Sequence, residues 1–316
     1  MKTQQKIKSI YEKLLCLYGQ QGWWPIITDK SGKSGKSSSK YLCEHGLNAP
    51  RNDSERFEIC VGAILTQNTG WYPNVVNALI NLKRLKAMDP KKILKLDDEK
   101  LKQAIRPAGY FNQKAKKLKE FCRFYMGLNG RNPSREALLN IWGIGPETAD
   151  SMLLYAYDKP IFVVDAYTKR IFSRLGFFKE DAAYDEVQKL FMNAFKDQSC
   201  SDKKSLLGDE MNSDESRRQQ WRTAKQGLAQ GNCERVRNEL TRKSLSVAQD
   251  IFSQKNGRLP PLLLPPSVKI DFQNVNELKT YIFKEYHALI VEHAKRHCKT
   301  NADCDVCLLK SKCEYV

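Results

Sequence analysis

An all-α fold is what this sequence predicts, and three observations carry the prediction. Apolar residues recur at the i, i+3, i+4, i+7 spacing of a buried helix face along almost every patterned stretch. No two alternating segments joined by a turn form a convincing strand pair. The stretch "GIGPETAD" at 143–150 joins two helices through almost no connecting chain, which makes a helix-hairpin-helix.

Helical periodicity covers 4–18, 57–67, 74–86, 99–106, 113–125, 135–142, 146–157, 166–175, 182–195 and 276–296. In the hairpin, Leu138, Leu139, Ile141 and Trp142 mark the first helix, and Ala149, Met152, Leu153 and Ala156 repeat along the second. Gly145 and Pro146 suit the cap and first position of that second helix, because the amide that proline lacks would be unpaired there. In "PAGYFNQKAKKLK", Gly109 allows a tight turn, Asn112 can cap the next helix, and Lys114, Lys116 and Lys117 fall in its first turns. Asp165 follows the short apolar run "IFVV" and precedes "AYTKRIFSRLG", the place of an N-cap. Two polar stretches, 30–56 with its "KSGKSGKSSSKY" and 197–262, look like insertions into a globular protein.

The chain has 316 residues, enough for one large or two modest domains, with 53 Lys and Arg against 36 Asp and Glu for a net charge of +17. An excess of that size suits a polyanionic partner, although a merely soluble surface would also carry it. The most apolar segment, "LPPLLLPPSV", is broken by prolines, so no membrane span is expected. Glu12 and Lys13 divide the N-terminal apolar residues, which argues against a secretory leader and for a reducing intracellular setting. That means cytoplasm in a prokaryote, nucleus in a eukaryote.

Six of the ten cysteines are scattered and read as buried or surface thiols. Cys298, Cys304, Cys307 and Cys313 instead form C-x5-C-x2-C-x5-C, compact enough for four thiolates to reach one metal centre. By residue type alone that centre is either zinc or iron and sulfur.

The glycine-rich hairpin exposes helix N-terminal amides, a ready anion site for a phosphate, with Gly143 and Gly145 admitting close backbone approach. An ordinary helix connection has the same composition. The lysines around Lys114 are either a solvated face or a grip on a nucleic-acid strand. Trp23 and Trp24 in "YGQQGWWPI", with Trp71 in "LTQNTGWYPN", are either core or a stacking box for an electron-poor base.

The stretch "LNIWGIGPETADSMLLYAYDKPIFVVDAYTKRI" resembles the helix-hairpin-helix and Gly/Pro-Asp signature of the endonuclease III superfamily of DNA glycosylases. "RFEICVGAILTQNT", "IRPAGYFNQKAKKLKEF" and "YHALIVEHAKRHC" extend the resemblance over most of the chain outside the polar stretches. It implies a two-lobed fold: a barrel-like helical domain at 57–164, and a second lobe from 1–29 and 165–316 that ends in a cysteine loop at 298–313. It further implies that Asp165 is catalytic, that Gln67 probes the duplex, and that the four cysteines hold a [4Fe-4S] cluster. The partner implied is duplex DNA carrying damaged bases, bound by a monomer.

Two departures matter. The first cysteine spacing is one residue shorter than the commonest family pattern. Glu147 stands where strand-cutting members place the lysine that attacks the sugar, so the resemblance implies a monofunctional glycosylase using water. The "WWP" element with "LTQNT" and "RPAGYFNQKAKKL" is similar to the bacterial 3-methyladenine DNA glycosylase branch, implying alkylated purines as substrate. That branch lacks the iron–sulfur ligands.

Overall fold

The computed structural model describes residues 2–29, 41–45, 50–196, 274–305 and 307–315. The stretch 197–262, expected as an insertion, lies outside these.

The first helix, α1 (Thr3–Tyr18), ends at Gly19, whose φ of 70° lets the chain turn sharply. Next comes a small antiparallel ladder, β1 (Ile26–Asp29) on β2 (Tyr41–Glu44), with Ile27 opposite Cys43. This ladder departs from the expectation of no strands. Four residues a side are too few for alternation to register, and β2 lies in the stretch read as insertion. Tertiary contacts hold it: buried Glu58 accepts the Ile27 amide at 2.7 Å and pairs with Lys83 at 2.5 Å.

The helix α2 (Asp53–Leu65) begins four residues before the predicted start, because Asn52 caps it by accepting from the Glu55 amide at 2.9 Å. The chain continues through α3 (Val76–Arg84) and α4 (Pro90–Lys95). The latter was not expected; its six residues bury only Ile93, too little for a periodic signal, and Asp89 caps it above Pro90. Next are α5 (Asp98–Ile105) and α6 (Phe111–Gly127). Gly109 makes the expected turn with φ 67°, but the cap of α6 is Tyr110, in the left-handed region, and Asn112 falls inside the first turn. The remaining helices match their predicted positions to within a few residues: α7 (Arg135–Leu139), α8 (Pro146–Ala156), α9 (Ala166–Arg174), α10 (Tyr184–Ala194) and α11 (Val275–Arg296).

The helices pack in two groups over one continuous apolar core. In one, α2 lies on α6 and α8, α4 and α5 on α6, α3 on α5, and α7 on α8. In the other, α1 packs on α10 and α11, and α9 on α11. Phe162, Phe191, Phe172 and Tyr286 fill the second group, Phe162 and Phe191 stacking at 4.2 Å.

A buried polar knot fixes α8 between α7 and α10. Fully buried Asp150 takes a bidentate pair from Arg135 at 2.7 and 3.1 Å, the Tyr184 hydroxyl at 2.9 Å and the Gln188 amide at 2.7 Å. Every oxygen of this carboxylate is therefore matched, as burial of a charge requires. No helix among the described residues is long and apolar enough to cross a membrane.

Candidate active site

The site forms where α8 and α9 start, under the loop that follows α1. Gly145 caps α8 with Pro146 at its first position, as expected, and the preceding Gly143 has φ +82°, a conformation side chains disfavour. A β-carbon on Gly143 would also come within 2.6 to 2.8 Å of the Lys117 side chain. The hairpin is thus shaped by α6 as well as by its own turn.

Gln67, at the end of α2, is held against that hairpin. Its Nε2 donates to the Gly143 carbonyl at 3.0 Å and to Thr148 Oγ1 at 2.9 Å, and its Oε1 accepts from Lys117 Nζ at 2.6 Å. Beside it, Lys116 sits 4.2 Å above the ring of half-exposed Trp142. Two further rings stand out in solvent, Tyr110 at the cap of α6 at 67% exposure and Tyr72 between α2 and α3 at 79%.

Lys114 is placed differently from the strand-gripping role expected of it. Its ammonium is buried and donates to Leu65 O, Thr69 Oγ1 and Ala108 O at 2.8 to 2.9 Å. The charge is spent on closing the gap between α2 and the turn before α6. Burial, then repulsion from Lys117, lowers its pKa to about 8.

Asp165 caps α9, and the cap leaves it rigidly oriented. Oδ1 accepts both the Thr168 amide at 2.7 Å and its hydroxyl at 2.8 Å, while Oδ2 lies 3.5 Å from His287 Nε2 on α11. His287 Nδ1 in turn meets the Tyr155 hydroxyl of α8 at 2.7 Å. That hydroxyl also reaches Lys284 O at 3.2 Å. When the tyrosine proton points at Nδ1, the neutral ring carries its own proton on Nε2, facing the carboxylate; when it points at Lys284 O, Nδ1 carries the proton and Nε2 does so only as the imidazolium. Burial pushes the Asp165 pKa up, but the hydrogen bond and charge of His287, with the two Thr168 bonds, outweigh it and hold the group below its ordinary range.

Glu147, in the first turn of α8, shares this field. It is exposed at the surface, yet partial desolvation, and then repulsion from Asp165, raise its pKa to about 7 against a smaller opposing pull from His287. The two carboxyls are therefore driven in opposite directions, and Asp165 is the one that His287 contacts.

The three tryptophans do come together. Trp23, Trp24 and Trp71 pack edge to face at centroid separations of 5.2 to 5.7 Å, and Trp24 continues onto Tyr155 at 5.3 Å. Trp24 and Trp71 are interior, and only Trp23 holds an outer position. Gly62 makes this possible: a β-carbon there would lie 3.0 Å from Trp24 Nε1 and 3.3 Å from Trp71 Cζ3. The loop bearing Trp23 and Trp24 is hung from α11 by Glu285, whose carboxylate accepts the Gln21 and Gly22 amides at 2.6 and 2.9 Å.

The C-terminal loop is tied to the far end of α9. Arg170 donates to Cys298 O at 2.8 Å, Arg174 to Lys299 O at 2.8 Å, and Glu314 N to Arg174 O at 2.8 Å. Arg174 also points at Cys298 Sγ at 3.4 Å, and His293 Nε2 at Cys307 Sγ at 3.5 Å. All four thiols are near enough for the other three to raise the Cys307 pKa, after burial as the main cause. Among the described residues no three side chains of ligand type converge closely enough to hold a single ion.

Sequence reasoning passed over His287, Tyr155 and Glu285. The one available signal was a stripe, Glu147, Ser151 and Tyr155 at i, i+4, i+8, which runs from the hairpin to the aromatic cluster.

Comparison with known proteins places this geometry in context. Residues 61–197 match the family model described as HhH-GPD superfamily base excision DNA repair protein. Along 98% of its length the chain is 34% identical to a candidate DNA repair glycosylase of Methanocaldococcus jannaschii, covering 96% of that protein. An endonuclease III of Thermotoga maritima is 33% identical over 134 residues, 41% of this chain and 62% of that protein. Two solved structures share the fold. One is an H. pylori 3-methyladenine DNA glycosylase bound to 1,N6-ethenoadenine (TM-score 0.52, 22% identity, 94% of this chain and 98% of that one). The other is a non-covalent endonuclease III–DNA complex (TM-score 0.56, 18% identity, 100% of this chain and 97% of that one).

Proposed function

The chain belongs to the HhH-GPD superfamily of base excision DNA repair proteins, as a DNA glycosylase, and we propose that it is monofunctional, hydrolysing the N-glycosidic bond of alkylated purines such as 3-methyladenine in duplex DNA. The observation that carries this reading is the Asp165 carboxylate, capped, buried and kept ionised beside a glutamate in place of the attacking lysine.

Breaking the bond builds positive charge on the sugar. A preorganised anion in a dry site stabilises that charge far better than solvent does, and the same oxygen can take the proton of the attacking water. Asp165 is the catalytic carboxylate in this scheme. An alkylated purine already carries positive charge, so its departure asks for recognition rather than protonation. Trp23 offers an electron-rich face for it, with Trp24 and Trp71 as the wall behind. The amides around Gly143 and Gly145 hold a phosphate of the damaged strand. Gln67 enters the gap left by the flipped nucleotide, releasing its bonds to Gly143, Thr148 and Lys117.

Cys298, Cys304, Cys307 and Cys313 would hold a [4Fe-4S] cluster. The donor set fits: four cysteines, with the other three close enough to Cys307 to raise its pKa, are the ligand type that iron and sulfur take. When bound, such a cluster would supply a rigid thiolate-ligated staple. This chain's own arginines, Arg170 and Arg174, transmit that rigidity to α9 and hence to its cap, Asp165. Iron and sulfide with visible absorption are expected in the purified protein; stoichiometric zinc in colourless protein would remove the cluster from this account.

The deciding experiment is base release from methylated duplex DNA by the native chain and by Asp165→Asn, each base identified chromatographically. Asparagine keeps the helix cap, so 3-methyladenine release by the native protein alone supports both residue and substrate. Borohydride trapping on abasic and oxidised-pyrimidine DNA tests the alternative glycosylase/lyase, and a covalent adduct would overturn the monofunctional reading.

A further inference from the structure

We propose that His293 is a positioning residue of the cysteine site: its Nε2 donates a hydrogen bond to the Cys307 thiolate, the Tyr18 hydroxyl fixes the proton on that nitrogen, and the pair raises the reduction potential of the cluster held there. This rests on the proposed cluster, and adds to it the residues that tune it.

Three elements meet at this ring. Tyr18 is the last residue of α1, His293 lies in the last turn of α11, and Cys307 sits in the loop that follows. His293 Nδ1 is 2.9 Å from the Tyr18 hydroxyl, and Nε2 is 3.5 Å from Cys307 Sγ. The imidazole is only 1% exposed, so both of its nitrogens are matched inside the protein rather than by solvent. Lys312 ties the same loop to α1 through Ser9 Oγ at 3.4 Å, which keeps the sulfur on the side of the ring.

The direction of the bonds follows from the sulfur. A cysteine that ligates metal is a thiolate, which accepts hydrogen bonds and has none to donate. Were the one proton of a neutral ring on Nδ1, the Nε2 lone pair would face a negative sulfur. With the proton on Nε2 the ring donates to Cys307, and Nδ1 accepts the tyrosine proton. Ligation therefore selects a single polarity along Tyr18, His293 and Cys307. Cys307 is half-buried and has lost part of the water that would solvate its charge, so the imidazole N–H replaces it. Arg174 gives Cys298 Sγ a similar contact at 3.4 Å.

Reduction of a thiolate-ligated cluster adds negative charge that the sulfurs share. A donor aimed at a sulfur stabilises the reduced state more than the oxidised one, and the potential rises.

Voltammetry of the iron-loaded, DNA-free protein tests this, comparing the native chain with His293→Leu, His293→Gln and Tyr18→Phe. His293→Leu should lower the ratio of reduced to oxidised cluster at a fixed potential at least about ten-fold, a shift of about 59 mV for a one-electron couple. His293→Gln, whose amide presents an N–H where Nε2 stood, should recover most of that loss. Tyr18→Phe keeps the ring but frees its tautomer, and should give a smaller shift in the same direction. A His293→Leu ratio within about two-fold of native, or a glutamine variant no nearer to native than leucine, overturns the assignment and leaves His293 as packing. If His293→Leu does not retain iron, Tyr18→Phe decides: a lowered potential supports the proposal and an unchanged one overturns it. Colourless native protein with stoichiometric zinc would overturn the cluster and this inference together, whereas an iron–sulfur protein whose potential ignores His293 overturns this inference alone.

Discussion

His287 Nε2 lies 3.5 Å from Asp165 Oδ2, and this contact joins α11, at the end of the chain, to the cap of α9. Because the other imidazole nitrogen is engaged by Tyr155 at 2.7 Å, the ring cannot turn away without losing a buried hydrogen bond.

His287→Leu should therefore lower base release about ten-fold, the kinetic equivalent of about 1.4 kcal/mol of lost electrostatic support for the Asp165 anion. With His287 gone, burial of Asp165 is less opposed and its pKa rises, so the acid limb of the pH–rate profile moves to higher pH. The linkage has the matching sign. A depressed carboxylate stabilises the fold above its unfolded pKa, near 3.8, and loses that contribution as pH falls through the folded value. Acid unfolding of the variant should accordingly lose part of its pH dependence below about pH 4. A variant with native rate and acid limb would show that the contact only packs.

Gly62→Val tests the tryptophan cluster. The new side chain meets Trp24 and Trp71 at their closest approach to α2 and must displace them, at about 1 to 3 kcal/mol. Tryptophan emission should shift and alkyl-base release should fall at least about ten-fold, with affinity for undamaged duplex kept. Unaltered release would mean that these indoles do not shape the base site.

Removing the Asp150 carboxylate should cost stability rather than chemistry. Asp150→Ala leaves Arg135, Tyr184 and Gln188 without their shared acceptor, and a cost near 3 kcal/mol is expected, at the low end for a buried pair because Arg135 is a quarter exposed. Urea unfolding measures it; a loss under about 1 kcal/mol would show that the knot relaxes onto solvent.

Lys114 and Lys116 should separate framework from DNA contact. Lys114→Met removes three buried hydrogen bonds, leaving the Thr69 hydroxyl as the donor to Ala108 O, and should destabilise by about 1 to 3 kcal/mol. It should leave the salt dependence of duplex binding as it was. Lys116→Ala, on the hairpin side beside Trp142, should reduce the slope of log affinity against log salt by about one phosphate contact. The reverse pattern would restore Lys114 as a strand contact.

Several features were fully legible in the sequence because they are local. Helix periodicity, the Gly145–Pro146 start of α8, the Asp165 cap of α9 and the tight turn at Gly109 each depend on residues a few positions apart, and each is present. The family was legible for the same reason: its signature is one continuous run from hairpin to aspartate.

What tertiary structure alone decided is the state of the charges. Asp165 and Glu147 are both acidic residues at helix N-termini, and nothing local distinguishes an anion from an acid. Burial and the Asp165 charge push Glu147 up, while His287, 122 positions beyond Asp165, and the Thr168 bonds hold Asp165 down. Lys114, Lys116 and Lys117 share one helix turn, yet α2 captures the first and leaves its neighbours at the hairpin. Desolvation and pairing depend on which remote element packs against a side chain, so sequence spacing could nominate these residues but could not assign their protons.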